Sequence, residues 1–186
     1  MTVRLVVLAS GSGSTLQSVI DADLPASIVS AGTDRPGCQA MARAAAKGIP
    51  TFTHALADYP SRSDWDAAFA ETLSSLQPDL VVLAGFMRLF SADTVEKFRM
   101  VNTHPALSPS FPGAHAVREA LAYGVKVTGA TVHWVDAGVD TGPIIAQVPV
   151  LIEAGDTEES LRARIQAAEK PLFVETIRLL CKEFLQ

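Results

Sequence analysis

The amino-acid sequence predicts an α/β protein with a Rossmann-like, doubly wound sheet that is mostly parallel and ends in antiparallel C-terminal strands. In the first half, short apolar runs alternate with helical stretches, which is the pattern of an open sheet with helices on both faces. The run 80–84 is apolar at every position, as in parallel strands covered on both faces. In the second half, two strand-like segments flank an Asp/Gly turn, which predicts that they pair antiparallel.

Each element is predicted from its own local pattern. Segment 64–76 has apolar residues at helical spacing, and Gly48 and Pro78 mark the ends of two helices. Asp156 and Glu159 are spaced like a capping box at the start of the last helix, and Pro171 is expected to break or kink that helix. The predicted strands cover 4–9, 27–31, 51–53, 80–84, 100–104, 128–135 and 143–150, and the predicted helices cover 15–21, 38–47, 64–76, 115–123 and 157 onward.

Charge and composition narrow the class of protein. The chain carries a net charge of −5 and its 15 basic residues are scattered, which argues against a nucleic-acid surface. No apolar run approaches the roughly 20 residues of a membrane span. We read no signal peptide at the N-terminus. With two cysteines and no C-x-x-C spacing, a cytoplasmic enzyme of one domain, 1–186, fits best.

A glycine-rich loop, S-G-S-G-S-T-L at residues 10–16, lies between the first predicted strand and helix. Small residues let the backbone approach a ligand, and a helix N-terminus offers unpaired amides to a phosphate. The loop lacks the Gly-Lys-Ser/Thr of a Walker A motif and the third glycine of the dinucleotide fingerprint. Phosphate binding and a ligand-free tight turn therefore both remain open.

Asn102 and His104 are the strongest candidates for chemistry. On a strand they project from the same face, at the carboxyl end of the sheet where ligands bind in open α/β folds. An amide beside an imidazole can stabilise an oxyanion. A single His is more often a structural hydrogen-bonding residue, but Asn102 is the only asparagine in the chain. Asp140 could orient this pair and handle a proton, or could only cap its own turn.

Two other kinds of site are not indicated. His104, His115, His133 and Asp140 show no H-x-H or H-x-x-x-H spacing, so no metal site is predicted. Neither cysteine has a neighbouring His or acid, and the chain has no G-x-S-x-G elbow for a nucleophilic serine.

These motifs resemble the folate-dependent formyltransferases, in the family's order and across nearly the whole chain. The combination of Asn-x-His-Pro with Asp-x-Gly-Pro is the most specific part of the resemblance. The matching stretches are V-V-L-A-S-G-S-G-S-T-L-Q at 6–17, V-V-L-A-G-F-M-R at 81–88, N-T-H-P-A-L-S-P-S-F-P-G at 102–113, G-A-T-V-H-W-V at 129–135 and D-T-G-P-I-I-A-Q at 140–147.

The resemblance implies a formyltransferase fold, with a phosphate-binding half at 1–100 and a catalytic and folate-binding half at 101–186. It implies formyl transfer from 10-formyltetrahydrofolate, a co-substrate, to the amine of glycinamide ribonucleotide, without a metal, in a monomer or homodimer. Asn102 and His104 would stabilise the oxyanion, and Asp140 would assist proton removal. The implied substrate-binding residues are Gly11, Gly13, Ser14, Thr15 and Glu169, with Thr15 standing where the family commonly has Asn. The implied folate-binding residues are Arg62, Met87, Arg88, Leu89, Phe90, Asn102, Asp136 and Asp140.

Several relatives with the same Asn/His/Asp pattern remain as alternatives. Methionyl-tRNA formyltransferases add a C-terminal barrel, formyltetrahydrofolate deformylases add an N-terminal regulatory domain, and sugar N-formyltransferases are usually longer. We expect none of these additions in 186 residues. A nucleotide-binding protein without catalysis would keep the glycine loop but would not need Asn102, His104 and Asp140.

Overall fold

Residues 2–186, which the computed structural model describes, form seven strands and six α-helices with one short 3₁₀ turn at Leu56–Asp58. The strands are β1 (Val3–Leu8), β2 (Ala26–Thr33), β3 (Thr51–Thr53), β4 (Leu80–Leu83), β5 (Met100–His104), β6 (Val127–Trp134) and β7 (Ile144–Leu151). The helices are α1 (Ser14–Ile20), α2 (Gln39–Ala46), α3 (Arg62–Leu76), α4 (Ala92–Lys97), α5 (Ala116–Tyr123) and α6 (Glu158–Glu183).

All seven strands belong to one sheet, in the order β3-β2-β1-β4-β5-β6-β7. The pairs from β3 to β5 are parallel, whereas β6 pairs antiparallel with both β5 and β7. The predicted fold class is therefore confirmed. The strand order reverses between β1 and β4, and this switch point opens a crevice at the carboxyl ends of the two strands.

Side chains of β1 alternate between two cores, because successive residues of a strand point to opposite faces. Leu5 and Val7 pack with α1, α2 and the C-terminal part of α6. Val6 and Leu8 pack on the other face, against an aromatic cluster. That cluster stacks α3 against the segment after β4 and includes Trp65, Phe69, Phe86 and Phe90.

The structure differs from two predictions about the last helix. The helix does not break at Pro171, because α6 continues from Glu158 to Glu183. Four of its large apolar side chains are fully buried, and their packing offsets the roughly 3 kcal/mol that an interior proline costs a helix. These four are Leu161, Ile165, Phe173 and Ile177.

The capping box also lies one residue later than predicted. Thr157 is the N-cap and exchanges hydrogen bonds with Ser160, instead of Asp156 with Glu159. The carboxylate of Asp156 accepts hydrogen bonds from Arg164 and from the Glu153 amide, so it is already engaged by other partners. Helix α4 was not predicted, since six residues are too few to show a periodicity.

Candidate active site

A cavity of about 430 Å³ opens at the switch point, along the carboxyl edge of the sheet. Its walls come from the segments after β1, β4, β5 and β6, together with one face of α6. Of the implied site residues, those lining the cavity are Thr15, Met87, Arg88, Leu89, Phe90, Asn102, His104, Asp136, Asp140 and Glu169.

The structure brings the three candidate catalytic side chains together. Asp140 Oδ1 accepts a hydrogen bond from Asn102 Nδ2 at 3.3 Å, and Asp140 Oδ2 lies 3.2 Å from His104 Nδ1. Asn102 and His104 share a face of β5, as their spacing predicts. The loop after β6 folds back over the end of β5 and carries Asp140 to them.

Asp140 faces Asn102 and His104 and does not cap its own turn. The turn cap is Asp136, whose Oδ1 accepts hydrogen bonds from the Gly138 amide and the Thr141 hydroxyl. Asp140 instead accepts from the Gly113 amide at 2.8 Å, in the loop that follows β5. Its backbone φ of 55° lies in the left-handed region, which costs energy for a residue with a side chain. Contacts across the cavity therefore hold Asp140 in place.

Both ring nitrogens of His104 face acceptors. Nε2 donates to the Phe111 carbonyl at 2.8 Å, while Nδ1 points at the Asp140 carboxylate. These two contacts fix the orientation of the His104 ring at the wall of the cavity.

His133 is a member of the site that sequence reasoning considered only as a metal ligand. It lies opposite Asn102 in the β5–β6 pairing, and its Nε2 is 3.3 Å from Asn102 Nδ2 and 3.6 Å from Asp140 Oδ1. Its Nδ1 donates to the Trp134 carbonyl, which fixes the ring. The pairing register of β5 and β6 was the signal that could have found it.

Charge coupling shifts the pKa values of this cluster. Burial opposes ionisation of Asp140, but hydrogen bonding to His133 and the Gly113 amide, together with the charge of His104, lowers the pKa of its carboxyl below the usual value. Burial likewise lowers the pKa of His133, but Asp140 and the Trp134 carbonyl outweigh it and raise that pKa. The pairing of Asp140 with His133 thus shifts the pKa values of the two groups in opposite directions, down for Asp140 and up for His133.

At one end of the cavity, the lining includes Thr15, which directly follows the small residues of the glycine-rich loop. Gly11, Gly13 and Ser14 precede Thr15 but are not among the residues that line the cavity. Gly13 is the N-cap of α1 with φ 73°, and a Cβ there would lie 2.6 Å from Cα of Ala40. Glycine at position 13 is therefore required by the packing of α1 on α2.

Helix α6 lines the same end of the cavity with Arg162, Gln166 and Glu169. Glu169 is buried and accepts a hydrogen bond from Thr103 Oγ1 at 2.9 Å. Burial raises the pKa of the Glu169 carboxyl, and the Thr103 hydroxyl partly opposes that rise. Arg162 and Gln166 were missed because the sequence of α6 shows only a long, charged helix.

The opposite wall is the segment between β4 and α4. Met87 and Leu89 expose apolar side chains there, as a wall for a flat ring system requires. Arg62 does not line the cavity. Its guanidinium donates to the Leu89 carbonyl and lies 4.7 Å from the centre of the Trp65 ring, so it supports the wall from behind.

Two further findings concern metals and membranes. Within residues 2–186, no group of three or more His, Cys, Asp or Glu side chains is arranged to hold a metal ion. None of the helices described there is both long and apolar enough to cross a membrane.

Comparison with known proteins identifies the family of this chain. Residues 3–177 match the formyl transferase family. The chain is 54% identical over 182 residues to the phosphoribosylglycinamide formyltransferase of Mycobacterium tuberculosis strain H37Rv, covering 95% of this chain and 84% of the relative. It is 36% identical to the protein of the same name from Bacillus subtilis, covering 95% and 94% of the two chains.

Solved structures give the same result. The crystal structure of glycinamide ribonucleotide transformylase 1 from Symbiobacterium toebii superimposes with a TM-score of 0.95 and 44% identity, covering 98% of this chain and 89% of that one. Its counterpart from Geobacillus kaustophilus gives a TM-score of 0.93 and 40% identity, over 97% and 100% of the two chains. The chain therefore belongs to the formyl transferase family and is an enzyme that transfers formyl groups.

Proposed function

We propose that this enzyme transfers the formyl group of 10-formyltetrahydrofolate to the amine of glycinamide ribonucleotide, a step of purine synthesis. The observation that carries the proposal is the convergence of Asn102, His104 and Asp140 in one cavity between a glycine-rich loop and an apolar wall. The relatives named for phosphoribosylglycinamide support the choice of acceptor.

The cavity has two chemically different ends, which suit the two substrates. Thr15, Arg162 and Glu169 give polar and charged groups for a phosphorylated sugar. The backbone amides of 11–15 would bind the phosphate just outside the cavity lining. At the other end, the segment 86–90 and Asp136 would hold the folate ring, with apolar side chains on its faces and polar groups at its edge.

The reaction follows from the polar groups between these ends. The amine nitrogen attacks the formyl carbon, the C=O electrons move to oxygen, and a tetrahedral adduct forms. An Asn102 N–H and the imidazole of His104 stabilise the oxyanion, as preorganised polar groups do in a water-poor site. The new ammonium then loses a proton, and the bond from carbon to the folate nitrogen breaks as that nitrogen is protonated.

Asp140 serves this reaction in two ways. Its carboxylate orients His104, and it takes the proton of the ammonium, directly or through a water molecule. Its lowered pKa keeps it ionised at neutral pH, which both tasks require. Asn102 Nδ2 contacts both Asp140 and His133, so one of these contacts gives way when Nδ2 donates to the formyl oxygen.

The experiment is a set of parallel reactions followed by mass spectrometry. The purified protein is incubated with glycinamide ribonucleotide and 10-formyltetrahydrofolate, and we expect the ribonucleotide to gain one formyl group. A reaction without folate should yield no product. Formate release without an acceptor would instead indicate a deformylase, and formylation of a nucleotide sugar or of methionyl-tRNA in preference to the ribonucleotide would contradict the proposed acceptor.

A further inference from the structure

A carboxylate outside the reacting trio connects the two ends of the cavity. Asp34 follows β2, and its side chain is 0% exposed. Its Oδ1 accepts a hydrogen bond from the hydroxyl of Ser10, which opens the glycine-rich loop. Its Oδ2 accepts from Arg88 Nε at 2.8 Å, in the wall that follows β4. One buried group in the segment after β2 therefore contacts the segments that follow β1 and β4.

Ser10 extends this connection. Its hydroxyl oxygen also accepts a hydrogen bond from the Met87 amide at 2.9 Å, and its own amide donates to the Gly85 carbonyl at 3.1 Å. The loop after β1 and the wall after β4 are thus joined directly by two hydrogen bonds at Ser10, and indirectly through Asp34, which contacts both Ser10 and Arg88.

The wall depends on these polar contacts because its middle has little apolar packing. Phe86 and Phe90 are buried in the aromatic cluster, but Met87 and Leu89 between them are more than half exposed. Residues 86–90 form no helix or strand. The direction of the Met87 amide and of the Arg88 guanidinium is therefore set chiefly by Ser10 and Asp34.

Asp34 occupies the position at which some related sheets bind a ligand. In dinucleotide-binding sheets of similar topology, an acidic residue about 20 residues beyond the glycine loop binds the ribose hydroxyls. Here that carboxylate is buried and bonded to Ser10 and Arg88, so no ribose can reach it.

We propose that Asp34 is a positioning residue that fixes the glycine-rich loop and the cavity wall as one unit, so that both substrate subsites are set together. The assignment of the subsites rests on the proposed function, whereas the link between the two segments does not.

The test compares Asp34→Asn with a chemically matched control, Asp156→Asn. Asp156 is also shielded, and it also accepts hydrogen bonds from a serine and an arginine, Ser160 and Arg164, but it lies outside the cavity. In Asp34→Asn, the Ser10 hydroxyl keeps an acceptor, while an amide facing Arg88 Nε loses the ion pair. Steady-state kinetics for both substrates, thermal unfolding and amide hydrogen exchange of Met87 are measured for each variant.

In Asp34→Asn we expect KM for the folate to rise at least about tenfold, as loss of a charge-assisted hydrogen bond predicts. KM for the ribonucleotide should rise by a smaller factor, Met87 amide exchange should accelerate, and kcat should change little. Asp156→Asn should lower Tm comparably and leave both KM values and Met87 exchange unchanged. Equal KM values in the two variants, or unchanged Met87 exchange in Asp34→Asn, would overturn the proposal.

The role of Asp34 can still be tested if Asp34→Asn does not fold or if the wild type lacks the proposed activity. If Asp34→Asn does not fold, Ser10→Ala retains the ion pair of Asp34 with Arg88 and removes the hydroxyl that accepts from the Met87 amide and donates to Asp34. It should accelerate Met87 exchange and raise KM for the folate, and an unchanged variant would overturn the proposal. If the wild-type enzyme forms no formylated ribonucleotide, the proposed function fails, while Met87 exchange still decides the role of Asp34.

Discussion

Asp140 Oδ2 lies 3.2 Å from Nδ1 of His104, and the opposite nitrogen of that ring donates to the Phe111 carbonyl. The ring is thus held at both ends, with an ionised carboxylate on one side. This geometry fixes the imidazole of His104 beside Asn102, the other candidate donor of the site.

Asp140→Asn preserves shape but removes the charge that faces His104 and the acceptor for the proton of the ammonium. We expect turnover to fall strongly, with modest change in the KM of either substrate, because the deficit lies in proton transfer and oxyanion stabilisation. The pH–rate profile should also lose its acidic limb. Since the pKa of Asp140 is held below the unperturbed value of about 3.9, that limb should lie on the acid side of about pH 4 in the wild type. Full turnover in Asp140→Asn would remove Asp140 from the mechanism.

Asn102→Ala and His104→Ala should each reduce turnover by about 10²-fold or more, which is the usual cost of losing one oxyanion donor. Both side chains line the cavity between its two ends, so binding of the ribonucleotide should change little. Stopped-flow kinetics at saturating substrates, with isothermal titration of the ribonucleotide, would measure both effects. Near-normal turnover in either variant would contradict the assignment of that residue.

The fold and the core of the site could be predicted because their signals are local. The all-apolar β4 and the period-two pair on β5 depend on neighbouring residues, and so does the glycine loop. His133 and Asp34 could not be assigned in this way. Their roles depend on the register of β6 against β5 and on the order of the strands, which bring residues distant in sequence into contact.

Contacts that local sequence patterns do not show also explain the two differences in α6. Local propensity predicts a break or kink at Pro171, but burial of Phe173 and Ile177, which follow the proline, keeps the helix continuous. Likewise, the capping residue is decided by where Asp156 finds its partners. Arg164, about two turns inside the helix, competes for that carboxylate and leaves Thr157 as the N-cap.

His133→Gln should make stability less dependent on pH. The pKa of His133 is raised in the folded protein, so its pairing with Asp140 stabilises fully below the unfolded pKa of about 6.5 and is lost as pH rises through the folded pKa. The free energy of unfolding of the wild type should therefore exceed that of the variant most at pH 5–6, and the difference should shrink at pH 8–9. Urea titrations at these pH values would measure it, and a difference that grows with pH would contradict the pairing.

The glycine-rich loop is best tested at Gly11. A Cβ at Gly11 would meet no atom within 4 Å, whereas one at Gly13 would clash with Ala40. Gly11→Val should therefore fold normally and, by crowding the amides proposed for phosphate, raise KM for the ribonucleotide by about tenfold, or about 1.4 kcal/mol. KM for the folate should not change. Gly13→Val should lower Tm and impair both substrates, and an unchanged ribonucleotide KM in Gly11→Val would place the phosphate elsewhere.

Thr103→Val tests how Glu169 acts on the ribonucleotide. Burial already raises the pKa of the Glu169 carboxyl, and the Thr103 hydroxyl, 2.9 Å away, partly opposes this by hydrogen bonding to the ionised form. Valine is nearly isosteric and removes that hydrogen bond, so the pKa of Glu169 should rise further. If ionised Glu169 binds a hydroxyl or the amine of the ribonucleotide, KM for this substrate rises as pH falls through that pKa. The rise should begin at a higher pH in Thr103→Val than in the wild type, while kcat at neutral pH stays close to normal. Identical pH profiles of KM in the two proteins would show that Glu169 does not bind the substrate in its ionised form.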